Sequence, residues 1–430
     1  MNNREMLKTT AEQLRTKGAD KFSLSLMQTE TQEFNLVYKE LNLLRSMQST
    51  NLGLTVIKDQ KQASTVLNQL DPEAINSAID TLMQNVIVAN PDPAFDISPF
   101  QDPVVGTGGV LQGDFDKLCE RLQEFAAQMI SRYPSVQFDA TMTYRVGHRY
   151  YTNSNGVDFE FSSGFYSFVT MFTAKESNKT SSMNYNGFSI ADLDQDLLSL
   201  NFTEDLIKQS IGQTETKAIP ENFVGDVIFF PFVGVDLLET MLDGQIGDGA
   251  LIRKTSKYPD HLGQKLFDEK LTIHTRPHDE RFCAVSPITS DGFLAPDATI
   301  VENGVLKHYP ITIFAANKTG KERTVGDNGN LVIQNGNIPF AEMIKGIDKG
   351  IYCVRASYGN PNANGDFSAV LKNSYYIENG KLAYPISETM ISANLIEMFN
   401  NIKAISAETI NTGSSIIPFM QIGNIHIAPK

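Results

Sequence analysis

The sequence predicts an α+β fold with an N-terminal antiparallel sheet, helices packed on that sheet, and a larger, β-rich, barrel-like C-terminal domain. Two helical segments with one apolar face follow the first strand-like segments, and the second half is rich in strand patterns and Gly/Asn turns. We expect domains at residues 1–218 and 219–430. The N-terminal strand-like segments, whose polar breaks are typical of an antiparallel meander, lie at 22–28, 33–39, 41–47, 54–58 and 63–67.

The helices of the first half carry clear start and stop signals. A helix over residues 4–17 ends at Gly18, a typical C-cap. The next begins with Asp71 as N-cap and Pro72 in the first helical position, and a third begins at Asp114. We expect the helices that start at Asp71 and Asp114 to pack on one face of the sheet. Residues 90–113, rich in Pro, Gly and Asp, are predicted to form a long loop.

The second half repeats one turn pattern. A Glu-Asn-Gly triplet occurs at 302–304 and again at 378–380, each time between apolar segments and before a Tyr-Pro-Ile triplet. Each Asn-Gly pair predicts a tight hairpin, so we expect two similar hairpins. The pattern at 388–403 predicts a helix, with Leu395, Phe399 and Ile402 facing inward.

A polar loop rich in Gly and Asn is predicted at 358–368. Such a loop either holds a ligand through its backbone groups or only connects two strands, and the sequence leaves both interpretations open. Its candidate binding residues are Gly359, Asn360, Gly365, Asp366 and Ser368.

Composition excludes several classes of protein. The chain has 430 residues and a net charge of −14, which argues against a nucleic-acid-binding protein, since such a protein needs a basic face. Its three cysteines, Cys119, Cys283 and Cys353, are far apart, as in proteins of reducing compartments. The N-terminus has no apolar signal-peptide core, and no apolar run is long enough to span a membrane. We therefore expect a cytoplasmic protein without membrane contact.

The segment 226–244 carries the most informative acid. A short apolar strand at 227–230 precedes a helix with Leu238 and Leu242 at helical spacing, and Gly244 is the predicted stop. Glu239 lies in the middle of this helix. Most helical glutamates lie on the surface, so a solvated helix edge is the simplest interpretation of Glu239.

Motifs of known catalytic chemistry are missing from the sequence. There is no His-Glu-x-x-His, paired CxxC, Walker loop or Gly-x-Ser-x-Gly. Of six histidines, only His274 and His278 lie close together, at a spacing that suits two metal ligands on a helix. Pro277 makes that helix improbable. With Asp279 and Glu280 adjacent, a weak divalent-metal site is one interpretation, and a loop at a strand end is the favoured one.

The order of these segments resembles the TldD/PmbA family, peptidase-related proteins once labelled modulators of DNA gyrase. In the first half, the resemblance includes the helix before Gly18, the segment 40–54 and the turn at 153–156. In the second half, it includes both Asn-Gly hairpins, the loop at 365–368, the helix predicted after Pro385-Ile386 and the strand at 418–428. No single piece is specific, but their order along nearly the whole chain is.

The resemblance also bears on a zinc site. Active members of the TldD branch are similar to zinc peptidases with a His-Glu-x-x-x-His helix and a cysteine ligand near the C-terminus, in which the glutamate activates a water. In this alignment Glu239 is kept, Leu238 and Asp243 replace the histidines, and no cysteine occurs at 410–415. The resemblance thus implies the PmbA branch, also called TldE, with no cofactor of its own and with zinc only in a TldD-like partner. The aligned residues are Leu238-Glu239-Thr240-Met241-Leu242-Asp243.

The resemblance implies a PmbA/TldE-like subunit of a cytoplasmic metallopeptidase system, without catalytic activity of its own. We expect it to help bind an extended peptide substrate, to form a homodimer alone and to form a heterodimer with a TldD-like protein. One alternative is an active metal-dependent peptidase with Glu239 as base, and with Asp243, His274 and His278 as weak metal candidates. Another is a non-enzymatic binding protein linked to gyrase modulation, although the acidic charge argues against direct DNA contact.

Overall fold

The structure is a computed structural model that describes residues 2–37, 40–327, 329–362 and 364–429. The helices are α1 Asn3–Thr16, α2 Pro72–Val88, α3 Phe115–Arg132, α4 Thr203–Gly212, α5 Pro231–Ile246, α6 Asp248–Ile252, α7 Ile313–Thr319, α8 Phe340–Lys345 and α9 Leu395–Met398. The strands are β1 Lys21–Val37, β2 Glu40–Lys58, β3 Lys61–Leu67, β4 Val104–Gly109, β5 Val136–Asn153, β6 Asp158–Glu176, β7 Lys179–Thr180, β8 Asn184–Ile190, β9 Phe223–Phe229, β10 Ile273–Thr275, β11 Ala298–Glu302, β12 Val305–Leu306, β13 Leu331–Ile333, β14 Lys349–Cys353, β15 Arg355–Tyr358, β16 Asp366–Lys372, β17 Tyr375–Glu378, β18 Lys381–Pro385, β19 Thr389–Asn394, β20 Ile402–Asn411 and β21 Ile416–Pro429.

The predicted α+β class is confirmed, and its first part is a curled sheet in the order β3-β2-β1-β5-β6-β4, with β7 and β8 also paired to β6. Apart from the parallel β4–β6 pair, the neighbours in this sheet are antiparallel. The four short strands predicted at 22–58 are two long ones, β1 and β2, because their polar residues stay paired across the hairpin. Lys39, at the end of one predicted strand, lies outside the described residues.

The helices that start at Asp71 and Asp114 pack on the same face of this sheet, as predicted. Each aspartate caps its helix, accepting hydrogen bonds from the backbone N–H of Ala74 at 2.9 Å and of Lys117 at 3.0 Å. Helix α2 packs on β1 and β2, whereas α3 packs on the same face nearer to β5. Both helices bury apolar residues at helical spacing, which is the main source of helix stability in a folded protein.

The second sheet is mixed and contains thirteen of the strands in the described residues. Strand β9 lies at its centre, parallel to β14 and antiparallel to β21. The two predicted Asn-Gly hairpins are confirmed, since they join β11 to β12 and β17 to β18. Asn303, Gly304, Asn379 and Gly380 all have positive φ, as a tight two-residue hairpin turn requires.

Two predicted elements are wrong. The helix expected at 388–403 is instead strand β19, the single turn α9 and the start of β20, because residues 389–394 pair with the distant strands β16 and β21. The loop expected at 90–113 contains β4, which pairs in parallel with β6. Gly106 of β4 lies against the Phe161 ring, where a Cβ would come within 2.5 Å.

The two sheets share one apolar core. Phe419 of β21 is fully buried, and its ring centroid lies 5.1 Å from that of Phe202, 5.6 Å from Phe230 and 4.3 Å from Phe340. The division at residue 218 stays a prediction, since the sheets lie on either side of it while their side chains pack together. Among the described helices, none is long and apolar enough to cross a membrane.

Candidate functional site

A cleft of about 540 Å³ lies where α5 faces strands β8 and β15, so both halves of the chain contribute to its walls. We call it the α5 cleft. It brings together three charged side chains and two tyrosines from distant parts of the sequence. These residues are Tyr185, Asp236, Glu239, Arg355 and Tyr358.

Helix α5 is positioned by strand β9, whose last three residues are buried. Strand β9 ends at Phe229, and Pro231 then occupies the first helical position. The helix continues to Ile246, so Gly244 lies inside it instead of ending it as predicted. Leu238 is fully buried in the core, whereas Glu239 next to it is exposed on the wall of the cleft.

Glu239 is one of three acids on the exposed side of α5. Burial by the cleft walls raises the pKa of Glu239, and the nearby carboxylates of Asp236 and Asp243 raise it further. The pKa of Asp243 is raised as well, first by burial and then by Asp248. This stretch of the cleft wall therefore has a negative potential that favours a cationic or hydrogen-bond-donating ligand group.

Asp236 joins the helix to strand β15. The Tyr358 hydroxyl donates a hydrogen bond to Oδ2 of Asp236, and burial together with this bond raises the pKa of Tyr358. Because Asp236 is on α5 and Tyr358 ends β15, the bond holds the strand beside the helix. This polar contact therefore joins two walls of the cleft.

Arg355 lies at the start of β15 and is only 7% exposed. Its Nη1 donates to the carbonyl of Val354 at 2.9 Å, and its Nη2 donates to the carbonyl of Tyr185. The guanidinium carbon lies 4.3 Å from the Tyr185 ring centroid and 5.2 Å from that of Phe230. Its Nε is buried without a hydrogen-bond partner. Burial lowers the pKa of the Arg355 guanidinium. Within the described ranges no carboxylate pairs with this cation.

The side chains of α5 do not fit a zinc ion. Leu238 has no donor atom and points into the core, and Glu239 and Asp243 offer only carboxylates with raised pKa. Structural and catalytic zinc sites are built from at least three imidazole, thiolate or carboxylate ligands. In the part of the chain that the structure describes, no group of three or more His, Cys, Asp or Glu residues is arranged to hold a metal.

The two candidate histidines are held in the second sheet by other contacts. Nδ1 of His274 lies 2.9 Å from Oγ1 of Thr299 and 3.0 Å from Nη2 of Arg276. Burial lowers the pKa of His274, and the Arg276 cation lowers it further. Nε2 of His278 lies 3.0 Å from the carbonyl of Ala295. Among the described residues, these histidines and Asp243 have no common centre for a metal.

The polar loop at 358–368 is built around its own side chains. The Asp366 carboxylate accepts hydrogen bonds from the side-chain amides of Asn394 at 2.9 Å and Asn362 at 3.1 Å, and these bonds lower its pKa. Gly365 has a φ of 94°, a conformation that suits glycine. Asp366 thus has a structural role in this loop. Ala363 lies outside the described residues.

Four of the five candidate loop residues line one shallow depression of about 450 Å³, namely Gly359, Asn360, Asp366 and Ser368. Gly365 lies in a neighbouring depression that also contains Thr240 and Gly244 of α5. The five candidate residues therefore lie next to the α5 helix but outside the α5 cleft itself.

Sequence reasoning missed Arg355, Asp236 and Tyr358 as site residues. The one available signal is the arginine in Cys353-Val354-Arg355, a charged residue that directly follows an apolar run. The aromatic rings around Arg355 belong to Tyr185, Phe230 and Phe232, which lie far away in the chain, so no local pattern indicates them.

Comparison with known proteins places this geometry in context. Residues 224–429 match the PmbA/TldA metallopeptidase C-terminal domain. The chain is 23% identical to the metalloprotease PmbA of Escherichia coli O157:H7 over 431 residues, covering 96% of this chain and 94% of that protein. It is 22% identical to a zinc metalloprotease TldD homologue of Saccharolobus solfataricus, covering 72% and 73% of the two chains.

Two crystal structures have the same fold. One, a protein from Bacteroides thetaiotaomicron described as a modulator of DNA gyrase, superposes with a TM-score of 0.89 at 21% identity over 100% of this chain and 99% of that one. The other, TldE from Thermococcus kodakarensis, has a TM-score of 0.84 at 16% identity over 98% of this chain and 100% of that one. At these identities the likeness establishes the fold.

Proposed function

Because this chain is a member of the PmbA/TldD family and carries its metallopeptidase C-terminal domain, we propose that it is a PmbA/TldE-like subunit of a peptidase system. In this proposal it lacks a catalytic zinc site of its own. The observation that carries the proposal is the α5 helix, where Leu238 points into the core and the exposed acids are Asp236, Glu239 and Asp243, with no imidazole or thiolate beside them on this helix. Its three free cysteines fit a reducing cytoplasm.

The peptide-binding part of the proposal is supported by β15. This strand pairs only with β16 among the described residues, so its other edge has free backbone groups beside the α5 cleft. An extended peptide adds to such an edge through main-chain hydrogen bonds, with little dependence on its sequence. The subunit would thereby hold a peptide while the partner supplies the chemistry.

The partner in this proposal is a TldD-like protein with a complete zinc site. The chain alone would form a homodimer and would exchange into a heterodimer when the partner is present. Support comes from the likeness to both a PmbA protein and a TldD homologue, which indicates that the two kinds of chain share one architecture.

The test is reconstitution with a TldD-type protein from the same organism. Size-exclusion chromatography with light scattering should show a complex with one copy of each chain. Hydrolysis of a fluorogenic unfolded peptide should be at least about tenfold faster for the mixture than for this chain alone, because a zinc-bound hydroxide is the missing nucleophile. Equal hydrolysis by this chain alone, abolished by Glu239→Gln, would contradict the proposal, because it would place the catalytic base in this chain.

A further inference from the structure

The charged side chains of the α5 cleft suggest which part of a peptide it holds. We propose that the Arg355 end of the cleft binds the C-terminal carboxylate of a peptide, an assignment that rests on the proposed peptide-binding function. The ligand class is thus a short or unfolded chain with a free C-terminus.

Arg355 is a buried cation that has no carboxylate partner among the described residues. A buried charge normally has an ionic partner, because leaving it buried and unpaired is strongly unfavourable. Here two backbone carbonyls and an aromatic ring compensate only in part, and Nε stays without a partner. A guanidinium binds a carboxylate through two parallel hydrogen bonds, so a peptide terminus suits the unused donors.

The start of α5 adds to the positive potential at this end. Phe232, in the first turn of this 16-residue helix, has its ring centroid 5.9 Å from the Arg355 guanidinium carbon. The N-terminus of a helix has a partial positive charge that stabilises anions. A peptide carboxylate next to Arg355 would therefore be stabilised by both groups.

The acidic end of the cleft gives the ligand a direction. Glu239 is seven residues after Phe232, which at 1.5 Å per helical residue places it about 10 Å along the α5 axis. An extended chain rises by about 3.3 Å per residue, so about three residues span that distance. With its carboxylate at Arg355, a peptide would have its third residue from the C-terminus beside Glu239 and Asp236. A lysine or arginine is favoured at that position.

The probe is the pentapeptide Ala-Ala-Lys-Ala-Ala, acetylated at its N-terminus and prepared with either a free or an amidated C-terminus. Isothermal titration to the full-length chain should show about tenfold tighter binding of the free acid, as expected for loss of a charge-assisted bidentate contact. An amidated peptide that ends in glutamate distinguishes a side-chain carboxylate from the terminal one. It should bind no better than the amidated parent peptide.

The variant that tests the role of Arg355 is Arg355→Lys, which keeps the positive charge but loses the planar guanidinium that can donate two parallel hydrogen bonds to one carboxylate. It should reduce the preference for the free acid to about threefold or less. Arg253→Lys is the matched control, because Arg253 lines the neighbouring depression instead of the α5 cleft, and it should keep the tenfold preference. Thermal unfolding of both variants checks that they are folded.

The outcomes separate this inference from the function on which it rests. Equal affinity of acid and amide for the unmodified chain would overturn the carboxylate assignment and leave peptide binding intact. If the amidated peptide that ends in glutamate bound as tightly as the free acid, the assignment to the terminal carboxylate would be overturned. Absence of binding by every peptide would overturn both this inference and the peptide-binding part of the proposed function.

Discussion

Replacing Asp291 with alanine is expected to destabilise the protein by about 3–5 kcal/mol, because it leaves the buried Arg323 without its anion. The two side chains are 9% and 10% exposed, and both Nε and Nη2 of Arg323 lie 2.8 Å from the carboxylate. The same carboxylate accepts hydrogen bonds from the Thr289 hydroxyl at 2.6 Å and from the backbone N–H of Ile313 at 2.7 Å. Alanine would remove all of these contacts at once.

The effect of this substitution should depend on pH. Burial alone would raise the pKa of Asp291, but the bonds from Arg323 and Thr289 outweigh burial and lower it. A carboxyl group whose pKa is lower in the folded state stabilises the fold above its unfolded pKa. That stabilisation is lost as the pH falls through the folded pKa. The difference between Asp291→Ala and the unmodified chain should therefore be full at pH 7 and shrink in acid.

Urea unfolding at pH 7 and at about pH 2.5, well below the ordinary aspartate pKa of 3.8, measures this difference. Asp260→Ala is the matched control, because Asp260 pairs with Lys321 while being 87% exposed. An exposed ion pair contributes about 0–1 kcal/mol, so the control should change little. A loss below about 1 kcal/mol for Asp291→Ala would mean that the buried pair is not the source of stability that its contacts indicate.

Replacing Phe419 with alanine is the second large change, with an expected loss of about 3–5 kcal/mol. Phe419 is fully buried where the two sheets meet, and its ring packs on Phe202 from the first half and on Phe340 from the second. Removing the ring leaves a cavity in the core that both halves share. Because this core is continuous, the unmodified chain should unfold in one cooperative transition.

Phe100→Ala is the control for this experiment, since Phe100 is 61% exposed. Its free energy of unfolding should stay within about 0.5 kcal/mol of that of the unmodified chain. Two separate transitions in the unmodified chain, with Phe419→Ala shifting only one of them, would show that the two halves unfold independently. The shared core would then contribute little to the coupling between the halves.

Local signals were predicted well from the sequence, because their causes are local. The cap at Asp71 and the turns at Asn303 and Asn379 each depend on a few neighbouring residues, and the structure has all of them. The helix predicted at 388–403 failed for the opposite reason. Residues 389–394 of this segment form a ladder with two strands that lie elsewhere in the chain, and that pairing outweighs the helical pattern.

The candidate site shows the same limit. Glu239 could be singled out from the sequence, and the structure adds that it lies on a cleft with Asp236 and Tyr358. The importance of Arg355 depends on Tyr185, 170 positions away, and on rings that precede or begin α5. Contacts of that kind arise only from the packing of the two sheets.

Whether this chain holds zinc of its own is measured by elemental mass spectrometry of the purified protein after dialysis against metal-free buffer. We expect far less than one zinc per chain, because α5 offers carboxylates without an imidazole or thiolate. A TldD-type protein treated in the same way is the positive control. About one zinc retained per chain would contradict the proposal that this subunit lacks a zinc site, and would assign metal-dependent peptide hydrolysis to it.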